Sequence, residues 1–399
     1  MIFDQPRNRD LIDLIRALAI LTVVQFHVLL GFGRLVDRDA LFGFMDAYPG
    51  IFNYAWQGMG VDVIFMVSAF LLSLSLFREV DNTGQVDYRA HMVRRMSRIL
   101  PMYYFALILF ALGQGDPIAD VIRSVFFVGF VFASYNVIPV GWSMEVLIWV
   151  YLALPFAVLW LARARRPGLI LLLVVIGTVV IRHVFLAVHP VGGADLYTQF
   201  YETGSFHPAM KEVYYRPWFR LTPFVIGVWL AWTIHKHPPT RARASLIALG
   251  AALFALVFWW PVHDPDRASF VWLGEAGWQV YWAYSGAVGA LGVALMLLGA
   301  LGAKADGRVP LAALWRLISR NIFAIYLFHM PMILVAAVMV FRSTDVDQLA
   351  GMTTLQSILT FLVASALSLG FAIVVTRFIE RPIQRYLRRR YLPDAATND

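Results

Sequence analysis

Runs of apolar residues long enough to cross a lipid bilayer recur along the chain, and they constrain its fold more than any other feature. A helix needs about 20 consecutive apolar residues to span the hydrocarbon. Of the 399 residues, 60% are hydrophobic and 15% are charged, whereas soluble domains carry roughly 25% charged residues. These proportions exclude a soluble enzyme, a disordered protein and a fibrous repeat. We predict ten spanning helices, at 11–31, 57–77, 98–113, 142–161, 168–188, 218–235, 245–262, 278–301, 320–341 and 355–377.

The positions of the arginines and lysines predict how these spans are oriented. With the N-terminus in the cytoplasm, most of the positive charge falls in the cytoplasmic segments 1–10, 78–97, 162–167, 236–244, 302–319 and 378–399. Cytoplasmic loops of membrane proteins carry such an excess, so the net charge of +8 does not indicate nucleic-acid binding. Segment 118–136 is also apolar, but a span there would put the basic cluster 163–166 outside. We therefore expect a re-entrant or surface helix at 118–136 and both termini in the cytoplasm.

The fold class expected from these patterns is an all-α, polytopic membrane protein. It has a single domain at 1–392 and a disordered tail at 393–399. The first run carries charged residues and is followed by no small-residue cleavage site, so we expect a retained span rather than a signal peptide. The chain has no cysteine, which excludes disulfides and thiolate nucleophiles. Its histidines lack ligand spacing, and no HExxH, GxSxG or phosphate-binding glycine loop occurs, so no metal site is expected.

Two ionisable residues lie eleven positions apart in the first span, Arg16 and His27. In a helix this spacing puts them on nearly the same face, about 16 Å apart. Arg16 lies toward the cytoplasm and His27 toward the outer leaflet. Such a face can serve an anionic donor and a proton transfer together. The alternative is that Arg16 snorkels to the interface and His27 is a hydrogen-bonded packing residue.

A second basic pair, Arg95 and Arg98, lies where the third span leaves the cytoplasm. Residues three apart share a helix face, and paired guanidinium groups suit phosphates. The alternative reading is that these arginines only fix the topology of the span.

Two acidic residues, Asp62 and Glu145, lie near the outer ends of the second and fourth spans, roughly level with His27. A carboxylate there can orient a histidine or bind sugar hydroxyls, although a Glu facing water is an equal alternative. Tyr326 and His329 lie deeper, in the ninth span. The similar depth of His27, Asp62 and Glu145 on three different spans predicts one polar cavity open to the outside. The long outer segment 189–217 is either a lid or binding surface, or an interfacial aromatic belt.

An ordered set of short motifs resembles the acyltransferase 3 family of integral-membrane acyltransferases. The resemblance extends over about residues 10–385 and includes an Arg-x10-His and an Arg-x-x-Arg element. Leu14 and Ala69 stand where the family often has glycine, and neither change removes a chemical group. The motifs are 12–20 (IDLIRALAI) with His27, 60–70 (GVDVIFMVSAF), 95–101 (RMSRILP), 142–145 (WSME), 220–227 (RLTPFVIG), 325–331 (IYLFHMP) and 379–382 (IERP).

This resemblance implies transfer of an acyl group, commonly acetyl from acetyl-coenzyme A (acetyl-CoA) in the cytoplasm, to a hydroxyl of a carbohydrate or glycolipid. It implies that His27 is catalytic, as a base or as the acyl carrier, and that Arg16, Arg95 and Arg98 hold the donor. Asp62 or Glu145 would set the imidazole tautomer or bind the acceptor. The candidates for acceptor or oxyanion contacts are Tyr326, His329, Ser68 and Asn136.

Two other functions fit the sequence. Ten spans with polar groups near the midplane also fit a transporter or flippase, although the halves show no evident repeat. An inactive binding relative is a third reading. The expected partners are the lipid bilayer of the inner cell membrane, acyl-CoA and the acceptor, with no nucleic acid and no permanently bound cofactor. The sequence leaves open the acyl group, the acceptor, an acyl-enzyme and the oligomeric state.

Overall fold

The architecture comes from a computed structural model, which describes residues 2–32, 59–132, 137–189, 208–259, 274–302, 307, 309–343 and 353–392. Within these ranges the chain forms helices and no strand. Short 3₁₀ turns lie at Ile2–Asp4 and Pro217–Arg220, and a π-helical turn at Thr376–Glu380. The α-helices are α1 (Pro6–Phe32), α2 (Met59–Thr83), α3 (Tyr88–Gln114), α4 (Ile118–Val125), α5 (Gly129–Phe132), α6 (Trp142–Arg163), α7 (Pro167–Val188), α8 (Pro208–Tyr215), α9 (Leu221–Lys236), α10 (Ala244–Trp259), α11 (Gly274–Ala300), α12 (Ala312–Arg320), α13 (Ile322–Phe341), α14 (Thr354–Val375) and α15 (Arg381–Tyr391).

Each of the ten predicted spans corresponds to one of these helices. Within the described ranges, eight helical segments are long and apolar enough to cross a membrane, which confirms an all-helical polytopic fold. The other two predicted spans are α9 and α10, with 16 residues each. At about 1.5 Å per residue they are some 24 Å long, a little short of the hydrocarbon thickness of about 30 Å.

Segment 118–136 forms short helices rather than a span. Helices α4 and α5 have 8 and 4 residues, so the longer one extends only about 12 Å. This agrees with the expected re-entrant or surface helix. Residues 133–136 and the predicted disordered tail 393–399 lie outside the described residues. Which side of the membrane each loop faces remains a prediction from the charges.

Helix α2 is the centre of the packing. It is the most enclosed of the spans, and it packs against α1, α6, α9 and α11. Two glycines allow this close approach: a Cβ at Gly60 would overlap the carbonyl oxygen of Ala19, and one at Gly227 would overlap that of Met66. Small residues at such contacts let membrane helices pack with their backbones close together. They bring α1 and α9 against the helix that carries Asp62.

The outer surface of the bundle is apolar. Helix α7 and the segment that begins with α14 are only 28% buried over their most apolar stretches. Exposed aliphatic side chains of this kind suit a lipid environment. On α7 they include Leu172, Leu173, Ile176, Val180, Ile181 and Val184.

Candidate active site

A cavity of about 140 Å³ lies between α1, α2, α3, α6 and α13. Most of its wall is apolar, and its polar groups lie at two levels. Ser143 and Tyr151 both line it from α6 and are eight residues apart, about 12 Å along the helix. The cavity therefore runs lengthwise through the bundle. Its lining contains five of the residues expected to form the site: Arg16, Ser68, Arg95, Arg98 and Tyr326.

One end of the cavity is formed by three arginines. Arg16 on α1 lies within electrostatic range of Arg95 and Arg98 on α3. Two carboxylates lie nearby: Asp13 is within electrostatic range of Arg16, and Oε1 of Glu380 lies 3.9 Å from Nε of Arg98. Nε of Arg95 is buried and has no hydrogen-bond partner among the described residues. Three guanidinium groups with two nearby carboxylates leave a net positive charge, which suits an anion.

Local structure explains why the two α3 arginines share this end. Asp87 caps α3, and its side chain accepts a hydrogen bond from the backbone N–H of Ala90 at 2.9 Å. Such a cap fixes the start of a helix. Because α3 already begins at Tyr88, Arg95 and Arg98 lie inside regular helix and face the same side. The helix starts ten residues earlier than the predicted span 98–113, since its first turns are polar.

Two histidines contact each other between α1 and α13. Nδ1 of His27 lies 3.1 Å from Nε2 of His329, and the ring centroids are 4.7 Å apart. His329 is fully enclosed, with 0% of its surface exposed, whereas His27 is partly buried. The sequence predicted that His329 lies deeper than His27, but it did not predict this contact.

The backbone contacts of the two rings determine which nitrogen of each carries a proton. Nδ1 of His329 lies 2.7 Å from the carbonyl oxygen of Tyr326, and Nδ1 of His27 lies 2.8 Å from that of Val23. A carbonyl oxygen only accepts, so both Nδ1 atoms donate. The single Nδ1–H of His27 is then shared between the carbonyl oxygen of Val23 and Nε2 of the neutral His329 ring, which accepts. Nε2 of His27 keeps its lone pair, as a general base or nucleophile requires.

Tyr326 connects the cavity to the histidine pair. Its side chain lines the cavity, and its ring centroid is 5.8 Å from that of His329. Its hydroxyl donates a hydrogen bond to the carbonyl oxygen of Val140 at 3.4 Å. His27 is not among the described residues that line this cavity. Tyr326 and His329 therefore lie between the cavity and His27.

The two candidate carboxylates have partners of their own. Glu145, in the first turn of α6, is 0% exposed and does not face water. Its Oε1 accepts a hydrogen bond from the backbone N–H of Gly129 at 3.2 Å. Asp62 is equally enclosed, and its Oδ1 lies 3.1 Å from Nη2 of Arg220. A direct action of either carboxylate on His27 stays a prediction.

The remaining predictions fall partly outside the described residues. Asn136 lies outside them, as does most of the outer segment 189–217. Within that segment Tyr214 packs on Trp142, with ring centroids 4.7 Å apart. Burial raises the pKa of Tyr214 to about 12, so its hydroxyl stays protonated at neutral pH.

Sequence reasoning gave no role to three charged residues of this region, Arg182, Arg220 and Glu380. Arg182 lies inside the predicted span 168–188, where an ionisable residue is itself a functional signal, so it could have been found. The contacts of Arg220 with Asp62 and of Glu380 with Arg98 could not have been found, because they depend on tertiary packing.

Comparison with known protein families matches residues 9–377 to Acyl_transf_3, described as an acyltransferase domain. The matched region contains both histidines and every residue that lines the cavity. Searches of curated proteins and of solved structures found no match to the chain.

Proposed function

Because the chain belongs to the acyltransferase 3 family and is a membrane acyltransferase, we propose that it moves an acyl group from cytoplasmic acyl-CoA to a hydroxyl of a carbohydrate or glycolipid. The proposed group is acetyl, which the family resemblance implies, and the proposed location is the inner cell membrane. One observation carries this proposal. The cavity has three arginines at one end, and at the level of Ser143 it is lined by Tyr326, which lies next to the histidine pair.

The arginine end suits the donor. Coenzyme A carries several phosphate charges, and Arg16, Arg95 and Arg98 offer guanidinium groups that form charge-assisted hydrogen bonds to phosphate. The apolar wall beyond them suits the uncharged pantetheine arm. In this arrangement the thioester is carried along the cavity toward Tyr326, while the nucleotide stays at the cytoplasmic end.

The histidine end suits the chemistry. Nε2 of His27 takes the proton of the acceptor hydroxyl as its oxygen attacks the thioester carbonyl carbon. The carbon–sulfur bond then breaks, and the imidazolium returns the proton to the departing thiolate of coenzyme A. General-base catalysis of this kind contributes about 10²–10⁴ in rate. The buried hydroxyl of Tyr326, turned away from its long contact with the carbonyl oxygen of Val140, is the candidate donor to the developing oxyanion, and Ser68 is a second.

A covalent variant uses the same residues. Nε2 of His27 would attack the thioester, carry the acyl group, and release it to the acceptor hydroxyl in a second step. Trapping by acid quench and mass spectrometry of the His27 peptide separates this route from direct transfer.

The experiment that tests the function follows release of the coenzyme A thiol from acetyl-CoA by the purified protein in lipid nanodiscs, with and without a carbohydrate extract of the cell envelope. His27→Ala is compared with His235→Gln. His235 is a matched control because it hydrogen-bonds to Asp81 at 2.7 Å, away from the cavity.

We expect acceptor-dependent thiol release from the wild type and from His235→Gln, and its loss in His27→Ala. Transport of a labelled glycolipid without thiol release would instead favour a flippase. Thiol release by His27→Ala at the wild-type rate would remove His27 from the mechanism.

A further inference from the structure

A second buried cluster of charged residues lies away from the three arginines of the cavity. It consists of Asp62 in the first turn of α2, Arg182 in α7 and Arg220 at the end of the 3₁₀ turn before α9. Their exposed fractions are 3%, 8% and 3%. Three separate helical elements thus bring their ionisable groups to one enclosed point.

The cluster holds more positive than negative charge. Arg182 lies within electrostatic range of both Arg220 and Asp62, so two guanidinium groups share one carboxylate. Nε of Arg182, and Nε and Nη2 of Arg220, make no hydrogen bond to any described residue. The 3.1 Å contact of Arg220 with Asp62 is an ion pair without hydrogen-bond geometry. A buried cation with unused N–H donors is costly and marks a functional site.

The cluster lies beside the end of the cavity that contains Tyr326. The guanidinium of Arg220 lies over the rings of Trp142 and Tyr214, at 5.1 and 4.8 Å from their centroids. Trp142 directly precedes Ser143, which lines the cavity. Arg220 and Tyr214 are also within electrostatic range of Tyr326. The cluster is therefore next to the proposed site of chemistry, at the opposite end of the cavity from the donor arginines.

We infer that the cluster of Asp62, Arg182 and Arg220 binds an anionic group of the acceptor, a phosphate or a carboxylate. This inference rests on the proposed function and narrows the acceptor to acidic carbohydrates and phosphate-bearing glycolipids. A planar guanidinium holds either anion through two parallel N–H donors. Asp62 neutralises one arginine while the acceptor is absent, and the acceptor anion neutralises the other.

The test measures the melting temperature of the purified protein at constant ionic strength with methyl glucuronide, methyl glucoside or inorganic phosphate. A ligand that binds only the folded state raises this temperature. We expect a rise with methyl glucuronide or phosphate and none with neutral methyl glucoside. The larger of the two rises identifies the carboxylate or the phosphate as the preferred group.

Two charge-removing substitutions should change this rise in opposite directions. Arg182→Gln is expected to abolish it, whereas Asp62→Asn, which removes the competing carboxylate, is expected to increase it. Arg216→Gln is the matched control and should leave the rise unchanged, because Arg216 is already paired with Glu212 at 2.6 Å. If Arg182→Gln fails to fold, the larger rise expected for Asp62→Asn still tests the inference.

The inference is overturned by a rise that both substitutions leave unchanged, by an equal rise with methyl glucoside, or by a rise that Arg95→Gln alone abolishes, since that rise belongs to the donor arginines. The measurement uses no thioester. If the cluster binds anions but the protein transfers no acyl group, the proposed function is wrong and the anion site remains. If the protein transfers acyl groups but both substitutions leave anion binding unchanged, the anion site is wrong and the proposed function remains.

Discussion

Nδ1 of His27 lies 3.1 Å from Nε2 of His329 and 2.8 Å from the carbonyl oxygen of Val23, so its one proton is shared between these two acceptors. In Ser-His-Asp triads a buried aspartate holds the histidine tautomer and stabilises the imidazolium. Here the two acceptors are a backbone carbonyl and a second, neutral imidazole, which avoids burying another charge within the membrane. His329 is in turn held by the carbonyl oxygen of Tyr326. We therefore propose that His329 positions His27, instead of the acceptor or oxyanion contact that the sequence suggested.

Replacing His329 should slow acyl transfer without weakening donor binding. A hydrogen bond to a charged group is worth about 1.5–3 kcal/mol, so His329→Ala should lower kcat by about 10- to 150-fold. The KM for acyl-CoA should stay unchanged, as steady-state thiol release will show. His329→Gln, whose amide oxygen still accepts, should recover part of the rate. An unchanged kcat in His329→Ala would mean that His27 needs no such support.

The two histidines should behave as one unit in a double-mutant cycle. If His329 acts only through His27, the double variant His27→Ala/His329→Ala should be no slower than His27→Ala alone, because residues that act together are not additive. The measurement is single-turnover transfer from labelled acetyl-CoA. Additive losses would show that His329 has a separate role.

The helices and the shared face of Arg95 and Arg98 could be predicted from the sequence because their signals are local. Apolar runs mark each spanning helix, and the three-residue spacing of Arg95 and Arg98 puts them on one face. The contact between His27 and His329 could not be predicted, since the residues are 302 positions apart and only the packing of α1 against α13 brings them together. The same holds for Asp62, which the sequence placed with His27 and which the structure pairs with Arg220.

Arg95 should contribute to donor binding through the phosphates of coenzyme A. Arg95→Gln should raise the KM for acetyl-CoA by about 10- to 150-fold, since it loses a charge-assisted hydrogen bond worth about 1.5–3 kcal/mol. Acetyl-pantetheine lacks these phosphates and provides the control substrate. Its KM should be the same in the variant and the wild type. An equal loss with both substrates would indicate that Arg95 only supports the fold or the topology.

Glu380 should oppose donor binding, because its carboxylate lies 3.9 Å from Nε of Arg98. Two unit charges about 4 Å apart interact by about 1 kcal/mol even in water. Glu380→Gln should therefore lower the KM for acetyl-CoA by about fivefold. Thr376→Val is the matched control: it removes the hydroxyl that donates to Glu380 at 3.2 Å and keeps the charge. A rise in KM in Glu380→Gln would show instead that the carboxylate orients Arg98.

Gly227 should be essential for the packing of α9 on α2, and through it for the position of Asp62. A side chain at Gly227 would overlap the backbone of Met66, and overpacking of this kind costs about 1–3 kcal/mol. Gly227→Val should therefore lower the melting temperature by several degrees. Gly177→Val is the control, because nothing lies within 4 Å of a Cβ at Gly177. Equal melting temperatures for the two variants would contradict the close contact of α2 and α9 on which the Asp62–Arg220 pair depends.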